Sequence, residues 1–176
     1  MSNIADSEIR LSGLIEESIV DGPGLRFVVF TQGCYKRCFM CHNAQTQPLD
    51  GGTIYKLDDI VAKWRENPLI KGITISGGEP FIQPKACLYL AQKALNDGLD
   101  VLLYSGYYYE ELRASKNASI QTLLNIATYL VDGPFEYKLK NLNLLFRGSK
   151  NQRVILLQET NKLNRIVLYP EDETFM

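Results

Sequence analysis

Three of the four cysteines fall within eight residues, in the run Gly33-Cys34-Tyr35-Lys36-Arg37-Cys38-Phe39-Met40-Cys41-His42-Asn43. The spacing is C-x3-C-x2-C. Thiolate is the metal-binding form of cysteine. Iron–sulfur clusters are held by such thiolates, usually four for a 4Fe–4S cube. Three thiolates leave one iron without a protein ligand. An open metal position is where substrate chemistry happens, as in catalytic zinc sites. An open iron could chelate the amino-acid end of a cofactor.

Two plainer readings compete. Cys34, Cys38 and Cys41 stand at i, i+4 and i+7, which also marks one face of a helix. Gly33 before the run, and Lys36 with Arg37 inside it, speak against a buried helical face. Structural zinc is the other reading, with His42 or Cys87 as fourth ligand. Adjacent Cys41 and His42 suit a tetrahedron poorly, and the usual paired C-x2-C knuckles are absent. Cys87 lies in an apolar helical pattern beside Leu88 and Leu90 and reads as a small core residue.

The elements around this loop must position it. Ile9 to Ile15 reads as an edge strand leading to the turn at Asp21-Gly22-Pro23-Gly24. Arg26 to Thr31 is short, β-branched and aromatic, as in a buried strand. Leu57 to Asn67 has helical spacing, with Ile60, Val61 and Trp64 on one side. Lys71 to Ser76 is a second buried strand, ending at Gly77-Gly78-Glu79-Pro80. Pro84 to Asp97 is predicted helical, with proline in its first turn and Gly98 just past its end. Leu99 to Ser105 is a strand, Tyr108 to Ser115 a short helix, and Ser119 to Ile126 a helix with Ser119 as N-cap. Thr128 to Val131, Arg153 to Gln158 and Ile166 to Tyr169 are strand-like. Strands alternating with helices imply an α/β fold with a mostly parallel sheet and right-handed crossovers. The cysteine and Gly-Gly-Glu-Pro loops both follow strands, so they meet at the carboxyl edge of the sheet. Asp132 ends a strand at that edge and is a candidate for cofactor or cation binding.

The 176 residues suit one domain, taken as 1–176. At 45% hydrophobic and 22% charged, the chain can build one core. A net charge of −1 gives no global field for nucleic acid. No apolar run approaches the roughly 18 residues of a membrane span, and Met1 to Arg10 carries no secretory h-region. A cytoplasmic protein with reduced thiols is expected.

The cysteine run resembles the signature of the radical S-adenosylmethionine (SAM) superfamily. Gly77-Gly78-Glu79-Pro80 looks like that superfamily's second motif, in the expected order and after a strand. The segments Asp21-Gly22-Pro23-Gly24-Leu25-Arg26, Gln32-Gly33-Cys34 and Cys41-His42-Asn43 are similar to the activases of glycyl radical enzymes. The front half is much like the activators of pyruvate formate-lyase. Val131-Asp132-Gly133-Pro134-Phe135, Leu145 to Arg153, and Tyr104-Ser105-Gly106-Tyr107 instead resemble the activators of anaerobic ribonucleotide reductase, as does the short length.

That resemblance implies a partial (β/α) barrel, since an eight-unit barrel usually needs about 250 residues. It implies a 4Fe–4S cluster on Cys34, Cys38 and Cys41, with SAM on the open iron. Gly77, Gly78 and Glu79 would meet the SAM amino group, and Met40, Cys41 and His42 would lie beside the adenine and cluster. Met40 departs from the aromatic residue often found there. Ser105 and Asp132 complete the implied cofactor set. The implied reaction is reductive cleavage of SAM to methionine and a 5′-deoxyadenosyl radical, which takes hydrogen from a glycine Cα. The implied partners are anaerobic ribonucleotide reductase and a low-potential donor such as flavodoxin or ferredoxin. Activation of pyruvate formate-lyase or another glycyl radical enzyme, and a zinc-binding interaction module, are the rival functions.

Overall fold

The computed structural model describes residues 7–170, so the outer residues of the expected 1–176 domain lie outside it. Strands β1 (Glu8–Ser18), β2 (Arg26–Thr31) and β3 (Thr53–Lys56) come first, then helix α1 (Leu57–Arg65), β4 (Gly72–Gly77), α2 (Pro84–Asn96) and β5 (Asp100–Tyr104). Helices α3 (Tyr109–Arg113) and α4 (Ala118–Ile126), strands β6 (Tyr129–Asp132) and β7 (Arg153–Leu156), and helix α5 (Leu157–Leu163) follow. Among the described residues the strands form one seven-stranded sheet of order β3-β1-β2-β4-β5-β6-β7. The central run β2-β4-β5-β6 is parallel. The outer pairings, β3 with β1, β1 with β2 and β6 with β7, are antiparallel. The fold is mixed α/β with a parallel centre.

Four expectations need correction. The strand begun at Ile9 is not an edge, because β3 pairs along it from Glu8 to Leu11. Thr53 to Lys56 is short and mostly exposed, so it carries no hydrophobic alternation to betray it. The N-cap of α4 is Asn117, not Ser119, and its side chain accepts from the amides of Ser119 and Ile120 at 2.9 and 3.3 Å. The strand expected from Arg153 to Gln158 stops at Leu156, where α5 begins. From Ile166 to Tyr169 there is only an isolated bridge, Leu168 to Ile155.

The parallel strands are buried on both faces, which is why they read as unbroken apolar runs. Successive side chains point to opposite sides. Phe27, Val29, Ile73, Ile75, Val101, Leu103 and Leu130 join one core with Ile60 and Trp64 of α1, Leu90 of α2, Leu123 of α4 and Leu157 of α5. Cys87 is part of that core. The alternate residues serve the opposite face, where Leu102, Val131 and Val154 pack with Tyr104, Tyr129 and Tyr169. The major helices therefore cover one face, and the other is left for something else.

A buried cation pins the amino-terminal end of the sheet. The Arg26 side chain is fully buried, and it pairs with Asp100 at 2.6 Å. It also donates to Thr74 Oγ1 at 2.7 Å, the Ile73 carbonyl at 2.7 Å and the Pro23 carbonyl at 2.8 Å. One side chain on β2 thereby holds β4, β5 and the Asp21–Gly24 turn. Removing its counter-charge leaves a buried cation unpaired, which costs about 3 kcal/mol or more. Asp100→Ala is expected to lower the urea midpoint by that equivalent, and Asp100→Asn by less.

Candidate active site

The cysteine loop leaves β2 and the Gly-Gly-Glu-Pro loop leaves β4. These strands are parallel neighbours with Thr31 opposite Gly77, so the loops emerge side by side. The Gly78 amide donates to the Thr31 carbonyl at 2.8 Å, and the Glu79 amide to the Gly33 carbonyl at 2.8 Å. The contact tolerates no side chain. A Cβ on Gly78 would stand 2.2 Å from the Gly33 oxygen. Gly77 has φ +96, a conformation that glycine enters without steric cost.

The cysteine loop also closes on itself. The amides of Gly33 and Cys34 donate to the carbonyls of Thr46 and Gln47 at 2.7 and 3.0 Å. The Gln32 side chain donates to the carbonyls of Gln45 and Pro48 at 3.2 and 2.7 Å. Inside the loop, Arg37 and Met40 take left-handed backbone, with φ 46 and 55. That conformation costs about 1 kcal/mol or more per residue outside glycine. The turns it makes bring Cys34, Cys38 and Cys41 to the wall of one cleft.

The cleft has a volume of about 760 Å³, within the range of small-molecule sites. Gly77 and Gly78 adjoin the thiols, and Phe30, Ser76 and Tyr104 form its floor on the helix-free face of the sheet. The far wall comes from residues 141–148. That segment is irregular but anchored, since the Tyr104 hydroxyl donates to the Phe146 carbonyl at 2.5 Å. Ile19 and Val20 form part of the rim.

The donor set suits a cluster. All three thiols are partly exposed, and Cys87 is buried away from them. Burial pushes the Cys34 thiol up, while backbone hydrogen bonds from Lys36 and Arg37 pull it back. Burial also raises Cys38, against a backbone hydrogen bond from Phe135. A bound metal charge would reverse this cost and bring both to thiolate. Cys87 gives its thiol hydrogen to the Pro80 carbonyl at 3.3 Å, and burial raises it strongly, so it is no fourth ligand. Among the described residues, no three His, Cys, Asp or Glu side chains converge to hold a single ion. A cube bound at three separate corners asks instead for three thiols at one opening, and all three line this cleft.

Glu79 is fully buried and ties a third strand into the site. Its carboxylate accepts from Ser105 Oγ at 3.0 and 3.1 Å, from the Gly106 amide at 2.8 Å and from the Phe81 amide at 3.2 Å. Ser105 and Gly106 follow β5, so the ends of β2, β4 and β5 share one network. Ser105 lines the cleft but directs its hydroxyl to Glu79. His42 lines the cleft too, with its ring 4.7 Å from that of Phe135. Met40 is exposed and stands outside the lining. Asp132 also stands outside it. Its oxygens accept from Arg153 Nε at 3.0 Å, Arg153 Nη2 at 2.5 Å and the Tyr109 amide at 2.7 Å. Ile19, Val20 and Phe135 line the cleft although they were not among the candidate site residues. An apolar pair directly before a glycine turn was the one available signal for the first two.

Residues 20–155 match the family described as 4Fe-4S single cluster domain. The chain belongs to that family. It is 36% identical over 145 residues to the anaerobic ribonucleoside-triphosphate reductase-activating protein of Salmonella typhi, covering 77% of this chain and 91% of that one. The protein of the same name from Escherichia coli K12 is 34% identical, with the same coverage. The pyruvate formate-lyase-activating enzyme of Clostridium pasteurianum is 33% identical over 112 residues, or 58% of this chain and 47% of that one. Among solved structures, QueE from Escherichia coli has a TM-score of 0.45 and 17% identity, covering 56% of this chain and 52% of that one. The chain is an activating enzyme of the radical SAM class, with a 4Fe–4S cluster and SAM as cofactors.

Burial pushes the Glu79 carboxyl from 4.5 up to about 7, against hydrogen bonds from Gly106, Phe81 and Ser105 and the charge of Lys36. Between those values the folded chain holds a proton that the unfolded chain has released. The stability from this group is full below about pH 4.5 and is lost as pH rises through about 7. Urea midpoints across pH 5 to 8 are expected to fall further in the wild type than in Glu79→Gln, whose amide does not titrate.

Proposed function

We propose that the chain activates anaerobic ribonucleoside-triphosphate reductase by creating a stored radical on a glycine of that protein. The observation that carries this reading is one open cleft where three thiols and the Gly77-Gly78 backbone meet above a parallel sheet. The reductase-activating relatives extend the likeness over 77% of the chain. Likeness to the pyruvate formate-lyase-activating enzymes covers 58% in one case and 36% in another.

Cys34, Cys38 and Cys41 hold the cluster in this reading and leave one iron open. The backbone at Gly77, Gly78 and Glu79 meets the amino end of SAM, and Cys41 and His42 border the adenine side, with Met40 outside the lining next to them. Ser105 acts through Glu79, and Asp132 through Arg153, which orders the neighbouring wall. When bound, the cluster and SAM would supply reductive radical chemistry able to remove a hydrogen atom from the glycine Cα. The chain supplies position and shelter. Phe30 and Tyr104 present an apolar floor that excludes water beneath the reacting atoms. Glu79 holds three strand ends in fixed relation, so the cofactor and the thiols share one rigid frame. We read the sheet as part of a barrel whose inner face is the cleft. Flavodoxin or ferredoxin is the proposed electron donor, and the cytoplasm the proposed compartment, where thiols stay reduced.

The test is anaerobic reconstitution followed by electron paramagnetic resonance. The reduced protein should show a 4Fe–4S signal that changes when SAM is added. Cys34→Ala, Cys38→Ala and Cys41→Ala should each lose that signal and SAM cleavage, and Cys87→Ala should keep both. A glycyl radical should then form on the reductase. Its appearance on pyruvate formate-lyase alone would move the assignment to that partner.

A further inference from the structure

The segments that border the cleft carry exposed apolar and basic side chains. Phe39, on the cysteine loop, is 75% exposed, and Leu142, on the facing segment, is 80% exposed. Large apolar side chains so exposed and so close to one opening mark an interaction surface. The segments that carry them touch. The Phe39 ring meets the ring of Tyr137 edge-on, with centroids 5.8 Å apart. Leu142 also lines the cleft itself, so the patch runs into the site without a break. Ile19 and Val20, which also line the cleft, are exposed as well.

Charge on this patch is one-sided. Residues 136–150 hold Lys138, Lys140, Arg147 and Lys150 against a single acid, Glu136. Arg37 adds an exposed cation on the cysteine loop. The whole chain has a net charge of −1, so this face departs in sign from the rest. Apolar residues at the centre with lysines around them follow the usual anatomy of a protein interface. Two copies of such a surface repel each other, which argues against self-association here.

We propose that this rim docks an acidic segment of the protein that receives the radical, and that the segment carries its glycine past Leu142 into the cleft. The inference rests on the activase reading above. The continuity of patch and cleft selects this occupant. A protein that only delivers electrons has no need to enter the mouth, whereas a glycine Cα must reach the cofactor. Lys138 and Lys140 attract the segment and set its register, and Phe39 and Leu142 give it apolar contact.

The test uses the full chain, cluster-loaded, with the full-length reductase and with dithionite as reductant, so that no donor protein takes part. Affinity is measured anaerobically and radical yield by electron paramagnetic resonance. The double variant Lys138→Glu with Lys140→Glu should bind the reductase about tenfold or more weakly. Its SAM cleavage without partner should equal that of the wild type, which shows that it is folded and loaded. Reversal of two distant lysines, Lys116→Glu with Lys162→Glu, should leave affinity unchanged. Added salt should weaken wild-type binding more than binding by the Lys138/Lys140 variant. Unchanged affinity in that variant would overturn the docking assignment. So would a defect that appears only when a ferredoxin supplies the electrons, since the rim would then serve the donor. A wild-type protein that cleaves SAM but neither binds nor activates the reductase would overturn the activase reading itself.

Discussion

The amide of Glu79 donates to the carbonyl of Gly33 at 2.8 Å, and a hydrogen is all that fits on Gly78 beside it. This contact joins two loops that lie some forty residues apart in the chain. Parallel pairing of β2 and β4 makes it unavoidable, because both strands end at the same edge of the sheet. The Glu79 side chain then extends the joint to β5 through Ser105 and Gly106. The cysteine loop at one strand end and the glycine loop at the next are thus held in one frame. A site that positions reacting groups depends on such shared rigidity.

The one-sided placement of helices follows from the same sheet. Alternation sends Phe27, Ile73, Val101 and their kin under α1, α2, α4 and α5. The opposite face still carries apolar residues and needs cover. Residues 134–152 provide it with only a 3-10 turn at Tyr137–Leu139 and one isolated bridge, Lys140 to Ser149. Tyr104 fastens Phe146, Asn151 donates to the Pro134 carbonyl at 2.7 Å, and Gln152 to the Gly133 carbonyl at 3.0 Å. The Asp132–Arg153 pair clamps the two ends of this excursion where β6 and β7 meet. An irregular wall so held can leave a cleft beneath it, whereas a packed helix would fill the space.

Much of this was legible in the residues because it rests on local rules. Three cysteines in eight residues, a buried strand before them and a glycine-rich turn after the next strand have few readings. The helical stripe of Ile60, Val61 and Trp64 faces the core as its spacing implies. Features set by distant partners were hidden. Strand β3 is recognisable only by its pairing with β1. Asp132 at a strand end has the look of a ligand, and only Arg153, from another strand, shows that its oxygens are engaged. The cover segment has no periodicity to read, since its order comes from individual side-chain and backbone hydrogen bonds.

The buried acids show what kind of chemistry the cleft is built for. Glu79 and Asp132 are the fully buried carboxylates among the described residues, and both have their oxygens occupied by donors within the fold. His42 is the chain's one histidine, and it rests against Phe135. Neither acid is left free to relay a proton. Abstraction of a hydrogen atom moves proton and electron together and needs no acid or base, only a short distance and a dry approach. A parallel sheet with three thiols at its edge, an apolar floor and an open mouth meets both requirements.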